Sequence, residues 1–411
     1  MGEHALYLVT GATGKVGRHA VALLRDSGVR VRALSRDPGS ARLPDGVEVV
    51  RGDLADPGSL DAALDGVTAV FLIWPTLSAD HAAPATIDAI AKHARRVVYL
   101  SANGVPDDPG AQVGGILGSH AYLERLVRES GVEWTLLRPT GFAGNTLGWA
   151  ESIRQDGVVR APFANMSRSL IHERDIAEVA VRALLEDGHA GATYVLTGPE
   201  AISQAEQVRV IGEAIGRPAL FEEISPETAR EELLAVWGDA ETVDGMLGPW
   251  AEMAKRPEIV TDTVPRLLGR PARTFAQWAA DHADAFRPPS AREVAEEYVS
   301  LCREERFGDP AMRGMFAPDV VRVETVGGKL VESRGDEIWA NSADFTDTVD
   351  VRGVSVGGPY VGEDDRFAIR FSMDVVDRAT GRPGTITKVC LYTVRDGRIV
   401  REEVCHLTPQ Q

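Results

Sequence analysis

The sequence predicts an α/β domain with a doubly wound parallel sheet and a small, mostly helical cap section, followed by a separate α+β domain. From residue 5 to about 200, short apolar runs alternate with helical patterns, as repeated βα units require. Residues 200–287 have mainly helical patterns, and alternating apolar runs with two tight turns fill the rest of the chain. A chain of 411 residues is long enough for two such domains.

Apolar runs in the first half of the chain are the predicted strands of the parallel sheet. They are Ala5–Thr10, Val31–Ser35, Val47–Arg51, Ala69–Ile73, Val97–Ser101, Trp134–Arg138 and Thr193–Leu196. The helices between them have ordinary start and stop signals. The first is predicted from about Gly14 to Asp26, and another starts at Ser119 and stops at Gly131.

Capping signals indicate the helices of the cap section. Ser203 with Glu206 and Thr274 with Gln277 have the spacing of capping boxes, in which each side chain bonds a backbone N–H of the other residue. Pro288–Pro289 then break the helical pattern, which is typical of an interdomain linker. We therefore expect one domain over residues 1–287, with the cap section over about 200–287, and another over 291–411.

The second domain is predicted to combine helices with a curved antiparallel sheet. The helices are Ala291–Phe307 and Pro310–Phe316, and the strands are Val320–Thr325, Phe367–Val376, Ile386–Val394 and Ile399–His406. Two short turns, at 379–381 and 395–397, separate the long strands as hairpins require.

Composition excludes several classes of partner. The formal net charge is −17, from 44 basic and 61 acidic residues, and such a chain repels a phosphate backbone, so nucleic acid is not expected. Three cysteines are too few for a disulfide framework or a Cys-rich zinc site, and no histidine pair has metal-site spacing, so no metal is expected. No run reaches 18 apolar residues and no leader pattern is visible, which predicts a cytoplasmic protein without a membrane partner.

A glycine-rich motif follows the first predicted strand and opens the first helix. Its pattern is Gly-x-x-Gly-x-x-Gly, in which glycines allow a tight turn and a close approach of the backbone to a pyrophosphate at the helix N-terminus. The predicted cofactor contacts in this motif are Gly11, Thr13, Gly14, Lys15, Val16 and Gly17. The strand before the motif and the helix after it are the context that a dinucleotide-binding Rossmann fold requires.

Further cofactor contacts are expected where the following strands end. Ser35 and Arg36 follow the second strand, where a cation suits the 2′-phosphate of NADPH, although Arg36 could also be an ordinary surface residue. The remaining candidates are Asp53 and Leu54 for the adenine, Trp74 for the nicotinamide ribose, and Ser101 and Ala102 for the nicotinamide. Trp74 could instead be a packing residue.

Residues 5–285 resemble the NmrA-like branch of the atypical short-chain dehydrogenases and reductases. The matching segments are Gly11–Gly17, Arg36, Gly52–Leu54, Val98–Asn103, Leu136–Asn145 and Ile171–Ala180. Residues 291–408 resemble, more loosely, the SnoaL-like cone domains of the nuclear-transport-factor superfamily. The segments that carry this second resemblance are Phe316–Asp319, Phe367–Asp377 and Thr393–Glu403. The first resemblance implies NAD(P) binding, and the second implies a bent sheet and helices that enclose a pocket.

The usual proton donor of short-chain reductases is missing. That donor is a tyrosine whose pKa is lowered by a lysine four residues later, and none of the seven tyrosines has such a lysine. His120 and Tyr122 lie at the start of the corresponding helix, separated by about 200° around it, so only one should face the nicotinamide. We favour His120 as catalytic, with Ser101 as a hydrogen-bonding partner, but His120 could also simply fill the helix start.

The remaining candidates surround two expected pockets. Asn103, Phe142, Asn145 and Trp149 are predicted to line the substrate side of the first domain. Trp339, Tyr392, Glu402 and His406 are candidates for a pocket in the second domain. Glu402 and His406 share one face of the last strand, while Arg401, Glu403 and Cys405 share the other, and the pattern does not indicate which face is inside.

These observations predict an NADPH-dependent reductase of a ketone, quinone or enone. The two resemblances together suggest an aromatic or polyketide-like substrate in bacterial secondary metabolism, with a second domain that binds, cyclises or isomerises the intermediate. Two alternatives stay open: a regulator that senses NADP(H) without catalysis, and a cyclase or dehydratase whose chemistry lies only in the second domain. A homodimer through the second domain is also possible.

Overall fold

The computed structural model describes residues 5–74, 81–108, 113–326, 328–340 and 348–407. The chain divides into two compact units. Unit 1 comprises residues 1–149 and 158–285, and unit 2 comprises residues 150–157 and 286–411. Each unit has its own apolar core.

Unit 1 is built on a parallel sheet. Its strands are β1 (Leu6–Val9), β2 (Arg30–Ser35), β3 (Glu48–Arg51), β4 (Ala69–Leu72), β5 (Arg96–Leu100), β6 (Glu133–Pro139), β7 (Val158–Ala161), β8 (Ser167–Arg168), β9 (Ala192–Leu196), β10 (Ile202–Ser203) and β11 (Leu220–Glu223). The main sheet has the order β3-β2-β1-β4-β5-β6-β9, and every pairing in it is parallel. Each predicted strand is confirmed to within one residue at either end. The doubly wound Rossmann-type fold is thereby confirmed.

Both faces of this sheet are buried, as a parallel sheet with helices on both sides requires. Along β1, Tyr7 and Val9 belong to one apolar layer, and Leu6 and Leu8 belong to the other. Successive side chains of a strand point to opposite faces, so a continuous apolar run supplies both layers.

Helices cover the sheet and form the cap section. The helices up to residue 286 are α1 (Gly17–Asp26), α2 (Asp61–Leu64), α3 (Ala83–His93), α4 (Gly115–Glu129), α5 (Ala150–Gln155), α6 (Glu173–Leu185), α7 (Gln204–Ile215), α8 (Pro226–Trp237), α9 (Ala240–Met253), α10 (Thr263–Leu268), α11 (Phe275–Asp281) and α12 (Ala283–Phe286). Of these, α5 belongs to unit 2. The 3₁₀ segments Pro57–Ser59 and Ala143–Trp149 complete the helical elements of this region. Two minor sheets join β8 to β10 and β7 to β11.

The helix boundaries show where the predictions were accurate. α4 begins at Gly115, four residues before the predicted start. The capping box of Thr274 and Gln277 is confirmed, with both reciprocal hydrogen bonds present. At Ser203 only half of the predicted box forms, because its hydroxyl accepts the N–H of Glu206 without the return bond.

Unit 2 is an α+β domain, which confirms the predicted class. Its elements are α13 (Ala291–Arg303), α14 (Pro310–Gly314), β12 (Phe316–Val326), β13 (Lys329–Arg334), β14 (Val349–Val361), β15 (Arg366–Asp377), β16 (Pro383–Arg395) and β17 (Arg398–Leu407). The sheet order is β13-β12-β17-β16-β15-β14, antiparallel except for the pair of β12 and β17. Asp396 and Gly397 both have positive φ at the last hairpin, as a tight two-residue turn needs.

Strands β13 and β14 were not predicted. β14 is an edge strand with two register shifts, and it contains Gly353, Gly357 and the cis peptide before Pro359. Glycine and proline weaken the strand pattern in the sequence, and they are tolerated at bulges and sheet edges. Within the part of the chain that the structure describes, no helix is long and apolar enough to cross a membrane.

A dinucleotide cleft and two buried ion-pair clusters

The glycine-rich loop between β1 and α1 makes a tight turn. Gly11 has φ +56°, in the left-handed region that favours glycine, and its carbonyl oxygen accepts the N–H of Gly14 at 2.9 Å. A Cβ on Gly17 would overlap the carbonyl oxygen of Gly11. Thr10 fixes the base of the loop, because its hydroxyl donates to the carbonyl of Ile73 at 2.8 Å and accepts the N–H of Ile73 at 2.7 Å.

This loop forms one wall of a cleft of about 510 Å³. The cleft lining comprises Thr10–Gly17, Leu34–Asp37, Ser40, Gly52–Leu54, Ile73, Leu100 and Phe142. The cleft follows the carboxyl ends of β1, β2, β3, β4 and β5, which is where doubly wound sheets bind their ligands. Its volume lies in the usual range of ligand sites. The glycine cradle and the open helix N-terminus therefore fit the pyrophosphate of a dinucleotide.

The predicted contact with the 2′-phosphate of NADPH is at the end of β2. Arg36 is exposed and has no ion pair or hydrogen bond within the described residues. The carboxylate of Asp37 accepts the N–H of Gly39 at 3.2 Å, so it is used inside its own turn. Ser40 also lines the cleft here, which sequence reasoning missed. Among the described residues the Arg36 guanidinium is therefore unpaired, at the strand end where the sequence predicts a 2′-phosphate contact.

The adenine side of the cleft is formed after β3. Asp53 and Leu54 both line the cleft. The backbone N–H of Asp53 donates to the hydroxyl of Ser59 at 2.9 Å, and its carboxylate accepts the N–H of Ala55 at 3.0 Å. Thr86 donates to the carbonyl of Leu54 at 2.8 Å, which ties α3 to this segment. These bonds fix the two residues in place.

Lys15 joins the glycine-rich loop to the segment that follows β6. Its ammonium group donates to the carbonyl of Gly144 at 3.0 Å and to the side-chain oxygen of Asn145 at 3.1 Å. The buried carboxylate of Glu173 accepts the N–H of Gly144 at 2.6 Å. A residue predicted for the cofactor and one predicted for the substrate thus lie together, although they are 130 positions apart in the chain.

The other residues predicted on the substrate side are more dispersed. Phe142 lines the cleft and forms a bridge with Ile171. Trp149 meets Phe221 edge-on, with ring centroids 6.5 Å apart. The backbone N–H of Asn103 donates to Pro139 at 2.9 Å.

Three residues predicted to contact the cofactor do not line this cleft. Trp74 is 9% exposed and belongs to the apolar layer that contains Leu8, and Ile73 lines the cleft instead. Leu100 is the last residue of β5 in the lining, so Ser101 and Ala102 lie just beyond it. Their contact with the nicotinamide remains a prediction.

Beneath the end of β5 lies a buried ion-pair cluster, which we call the Glu124 cluster. Arg138 binds the carboxylate of Glu124 through two hydrogen bonds of 2.8 Å, and both side chains are at most 5% exposed. Ser101 donates to the same carboxylate at 2.6 Å, and Arg128 reaches it at 3.2 Å. Arg138 also pairs with the exposed Asp107 at 2.6 Å.

Sequence reasoning did not identify the Glu124 cluster. One signal was present, because Arg138 interrupts the apolar run of β6, and a charge inside a buried strand needs a partner. The position of that partner on α4 was not evident from the sequence. The Ser101 hydroxyl, which we predicted to be catalytic, donates its hydrogen bond to Glu124 in this structure.

His120 and Tyr122 lie in different surroundings on α4. The Nδ1 atom of His120 is 2.7 Å from the hydroxyl oxygen of the fully buried Tyr99. Burial lowers the pKa of His120, while the nearby Glu124 carboxylate raises it. Tyr122 packs against the apolar layer next to α3, with the Arg125 guanidinium 5.3 Å from its ring centre. Its hydroxyl makes no hydrogen bond within the described residues.

Unit 2 contains its own buried group, which we call the Glu402 cluster. The Glu402 carboxylate is 4% exposed and accepts a 2.7 Å hydrogen bond from Nε of Arg322 on one oxygen. Tyr392 donates to the other oxygen at 3.1 Å, and the Tyr298 hydroxyl lies 3.4 Å from that of Tyr392. Burial raises the pKa of both tyrosines well above the ordinary value. Of the predicted residues in this unit, Tyr392 and Glu402 therefore lie together.

The other two predicted residues of unit 2 do not make hydrogen bonds to this cluster. Trp339 meets Phe316 edge-on at 5.2 Å between ring centroids, and Arg313 lies 5.1 Å from its ring centre. His406 is exposed at the end of β17 and bonds the carboxylate of Glu324 at 2.5 Å. The inward face of β17 is the one that carries Glu402.

Two family models match this chain. The model for NAD(P)H-binding proteins matches residues 11–187. The model for SnoaL-like domains matches residues 290–406. The two resemblances found in the sequence are thereby confirmed.

Named relatives match about two thirds of the chain. A (4-alkanoyl-5-oxo-2,5-dihydrofuran-3-yl)methyl phosphate reductase of Streptomyces griseus subsp. griseus is 41% identical over 286 residues, which cover 69% of this chain and 100% of the relative. An NAD(P)H azoreductase of Xenophilus azovorans is 37% identical over 291 residues, covering 68% of this chain and 99% of that protein.

A solved structure shares the fold over a similar share of the chain. The NADPH-dependent quinone oxidoreductase of Escherichia coli, solved in complex with NADPH, covers 67% of this chain and 99% of its own. Its TM-score is 0.56 at 23% identity, so this similarity concerns the fold alone.

Proposed function

We propose, from the premise that this chain belongs to the NAD(P)H-binding oxidoreductases and carries a SnoaL-like domain, that it reduces an electron-poor conjugated acceptor with NADPH. The acceptor class comprises quinones, enones and activated ketones, with an aromatic or polyketide-like skeleton. The observation that carries this proposal is a dinucleotide cleft at the carboxyl ends of β1 to β5, in a chain whose α4 helix has no tyrosine–lysine pair.

The missing proton donor fits such acceptors. Reduction of a simple ketone leaves its charge on one oxygen, and an acid must neutralise this alkoxide. In a conjugated acceptor the electrons displaced by the hydride spread over the π system to a remote oxygen or nitrogen, which can take its proton from water afterwards. The names of the two relatives describe acceptors of this kind, an alkanoyl-substituted oxo-dihydrofuran and an azo compound.

Different residues of the cleft would bind different parts of the cofactor. The glycine-rich loop would hold the pyrophosphate, Asp53 and Leu54 would flank the adenine, and Arg36 would pair with the 2′-phosphate. Bound NAD(P)H supplies the hydride and its two electrons. Phe142 and Asn145 would border the acceptor, and Lys15 holds Asn145 in place through its hydrogen bond.

A test of cofactor choice probes this arrangement. With menadione as the acceptor, we expect oxidation of NADPH at a lower KM than NADH. The preference should be about 1 to 3 kcal/mol, the usual strength of a charge-assisted hydrogen bond. Arg36→Ala should remove the preference without unfolding the chain, because Arg36 is exposed and has no partner among the described residues.

Arg51 provides a matched control for this experiment. It is another exposed arginine at the end of a neighbouring strand, and it does not line the cleft. Arg51→Ala should keep the preference for NADPH. Retention of the preference in Arg36→Ala would remove Arg36 from the proposed phosphate site, and failure of the wild-type chain to oxidise NADPH with quinone, enone or ketone acceptors would refute the reductase proposal.

We also propose that residues 291–411 form an independent domain that binds the reaction intermediate. The separate apolar core of unit 2 and the paired side chains of the Glu402 cluster support this proposal. Cutting the chain at about residue 288 should give two folded halves, and residues 1–287 should keep both NADPH affinity and turnover. Calorimetry and NADPH oxidation on each half check this. Loss of turnover in residues 1–287, restored by adding the other half, would show instead that residues 291–411 complete the reductase site.

A further inference from the structure

Tyr99 and His120 form an isolated hydrogen-bonded pair beside the end of β5. The two residues are 21 positions apart, and the Tyr99 oxygen lies 2.7 Å from Nδ1 of His120. Tyr99 is fully buried, and neither side chain has another hydrogen-bond partner within the described residues. Among the described residues, each side chain of the pair is therefore the other's hydrogen-bond partner.

Counting the hydrogens determines the direction of this bond. If Nδ1 of His120 carried the proton, Tyr99 would have to accept it, and the buried hydroxyl hydrogen of Tyr99 would have no acceptor. An unsatisfied buried donor costs about 1 to 3 kcal/mol. If Tyr99 donates to Nδ1, both groups are satisfied, and the ring proton of neutral His120 must lie on Nε2.

We propose that Tyr99 is a positioning residue, which holds His120 in the tautomer that presents Nε2–H to the acceptor. This inference rests on the proposed reductase function and assigns a new residue to the same site. His120 would then donate a hydrogen bond to the acceptor atom that becomes electron-rich during hydride addition. Tyr99 itself does not touch the substrate.

The electrostatics of the pair indicate a hydrogen-bond donor more than a source of protons. Burial lowers the pKa of His120, so its ring is neutral at pH 7. Burial also raises the pKa of the Tyr99 hydroxyl well above its ordinary value, so Tyr99 does not pass its proton through the ring. A neutral imidazole in a fixed tautomer polarises an acceptor without giving up its proton. The reduced acceptor then takes its proton from water.

Nitrogen NMR tests the tautomer independently of activity. In chain labelled with ¹⁵N-histidine, His120→Gln identifies the two ring signals of His120. We expect Nδ1 to show the shift of an unprotonated nitrogen and Nε2 that of a protonated one. In Tyr99→Phe the two shifts should move toward each other, because both tautomers become populated. A proton on Nδ1 in the wild-type chain, or unchanged shifts in Tyr99→Phe, would overturn the proposal.

Kinetics then test whether the tautomer matters for the reaction. Tyr99→Phe should lower kcat with menadione about tenfold, the effect of losing one orienting hydrogen bond, while the Kd for NADPH stays unchanged. His120→Gln should lower kcat at least as much. Normal turnover in Tyr99→Phe, despite a changed tautomer, would also overturn the positioning role.

The chain contains a matched control pair. The hydroxyl of Tyr194 lies 2.8 Å from Nδ1 of His189, the same arrangement at another place in unit 1. Tyr194→Phe should change the nitrogen shifts of His189 and leave kcat unchanged. An equal fall in kcat in Tyr194→Phe would reveal a general structural effect and overturn the specific role of Tyr99. A wild-type chain with the expected tautomer but no reductase activity would refute the proposed function separately, because the NMR result does not depend on turnover.

Discussion

The two units bury a glutamate against an arginine in different ways. In unit 1, Arg138 binds both oxygens of Glu124, and Ser101 and Arg128 bond the same carboxylate. In unit 2, Arg322 binds one oxygen of Glu402, and among the described residues the other oxygen has only a 3.1 Å bond from a tyrosine. The first carboxylate is held redundantly, and the second depends mainly on a single arginine.

This difference separates two uses of buried charge. The Glu124 cluster joins α4 to β5 and β6 beside the cleft, so it fixes the helix that carries His120. Redundant bonds suit such a supporting role. The Glu402 carboxylate keeps one weakly bonded oxygen inside the domain. A carboxylate with a less fully satisfied oxygen is the better candidate for a group that interacts with a ligand.

Truncating the two arginines should have unequal effects, and the larger is expected in unit 2. Arg322→Met leaves Glu402 without its hydrogen-bonded cation, and we expect a loss of about 3 to 5 kcal/mol in the stability of that unit. Arg138→Met leaves Glu124 paired with Arg128, so the loss in unit 1 should be about 1.5 to 3 kcal/mol. Hydrogen exchange measured by mass spectrometry reports each unit separately and checks both values.

A double variant and a surface control make this comparison sharper. Replacing both partners, in Arg322→Met with Glu402→Leu, should recover most of the loss, because no unpaired charge stays buried. Arg401 and Glu403 form a pair of the same kind on the other face of β17, with side chains 42% and 45% exposed. Arg401→Met should cost at most about 0.5 kcal/mol. Equal losses for Arg138→Met and Arg322→Met would contradict the difference in redundancy.

The sequence predicted the fold well where local patterns are sufficient. The β1 strand, the glycine-rich loop and α1 follow one another without a gap, so the prediction of each element strengthens the prediction of the next. The pattern failed for β14, because Gly353, Gly357 and Pro359 break the alternation that identifies a strand. It also gave no indication that residues 150–157 belong to the second unit.

The candidate site was predictable only in part, for a related reason. The cleft residues Gly11 to Gly17 and Arg36 lie in short motifs whose spacing carries their chemistry. Contacts such as Lys15 with Asn145 and Arg138 with Glu124 join distant segments, so they depend on the fold. The face of β17 that carries Glu402 could not be chosen from alternation, because polar residues occur on both faces.

The two units also differ in their histidines, which affect stability at low pH. Burial lowers the pKa of His19, His120, His172 and His189 in unit 1, and that of His19 falls to about 4. The Nε2 atom of His19 is also buried without a hydrogen-bond partner among the described residues. Unit 2 has one histidine, His406, which is exposed and bonded to a carboxylate.

Acid should therefore weaken unit 1 more than unit 2 through their histidines, and this is the smallest effect we expect. Below pH 6.5 an unfolded histidine binds a proton, whereas folded His19 stays neutral until about pH 4. The unfolded state then holds more protons, so stability falls as the pH is lowered through this window. For His19 the loss between pH 7 and pH 5 should be about 1 to 2 kcal/mol, which includes a reduction for its partial exposure.

Ending the comparison at pH 5 avoids most carboxylate titration. Hydrogen exchange at the two pH values, corrected for the intrinsic rate, measures the change in each unit. His19→Asn should reduce the loss in unit 1, and His406→Gln should leave that loss as it is. Equal stability of unit 1 at pH 7 and pH 5 would show that its buried histidines accept protons as readily as free ones.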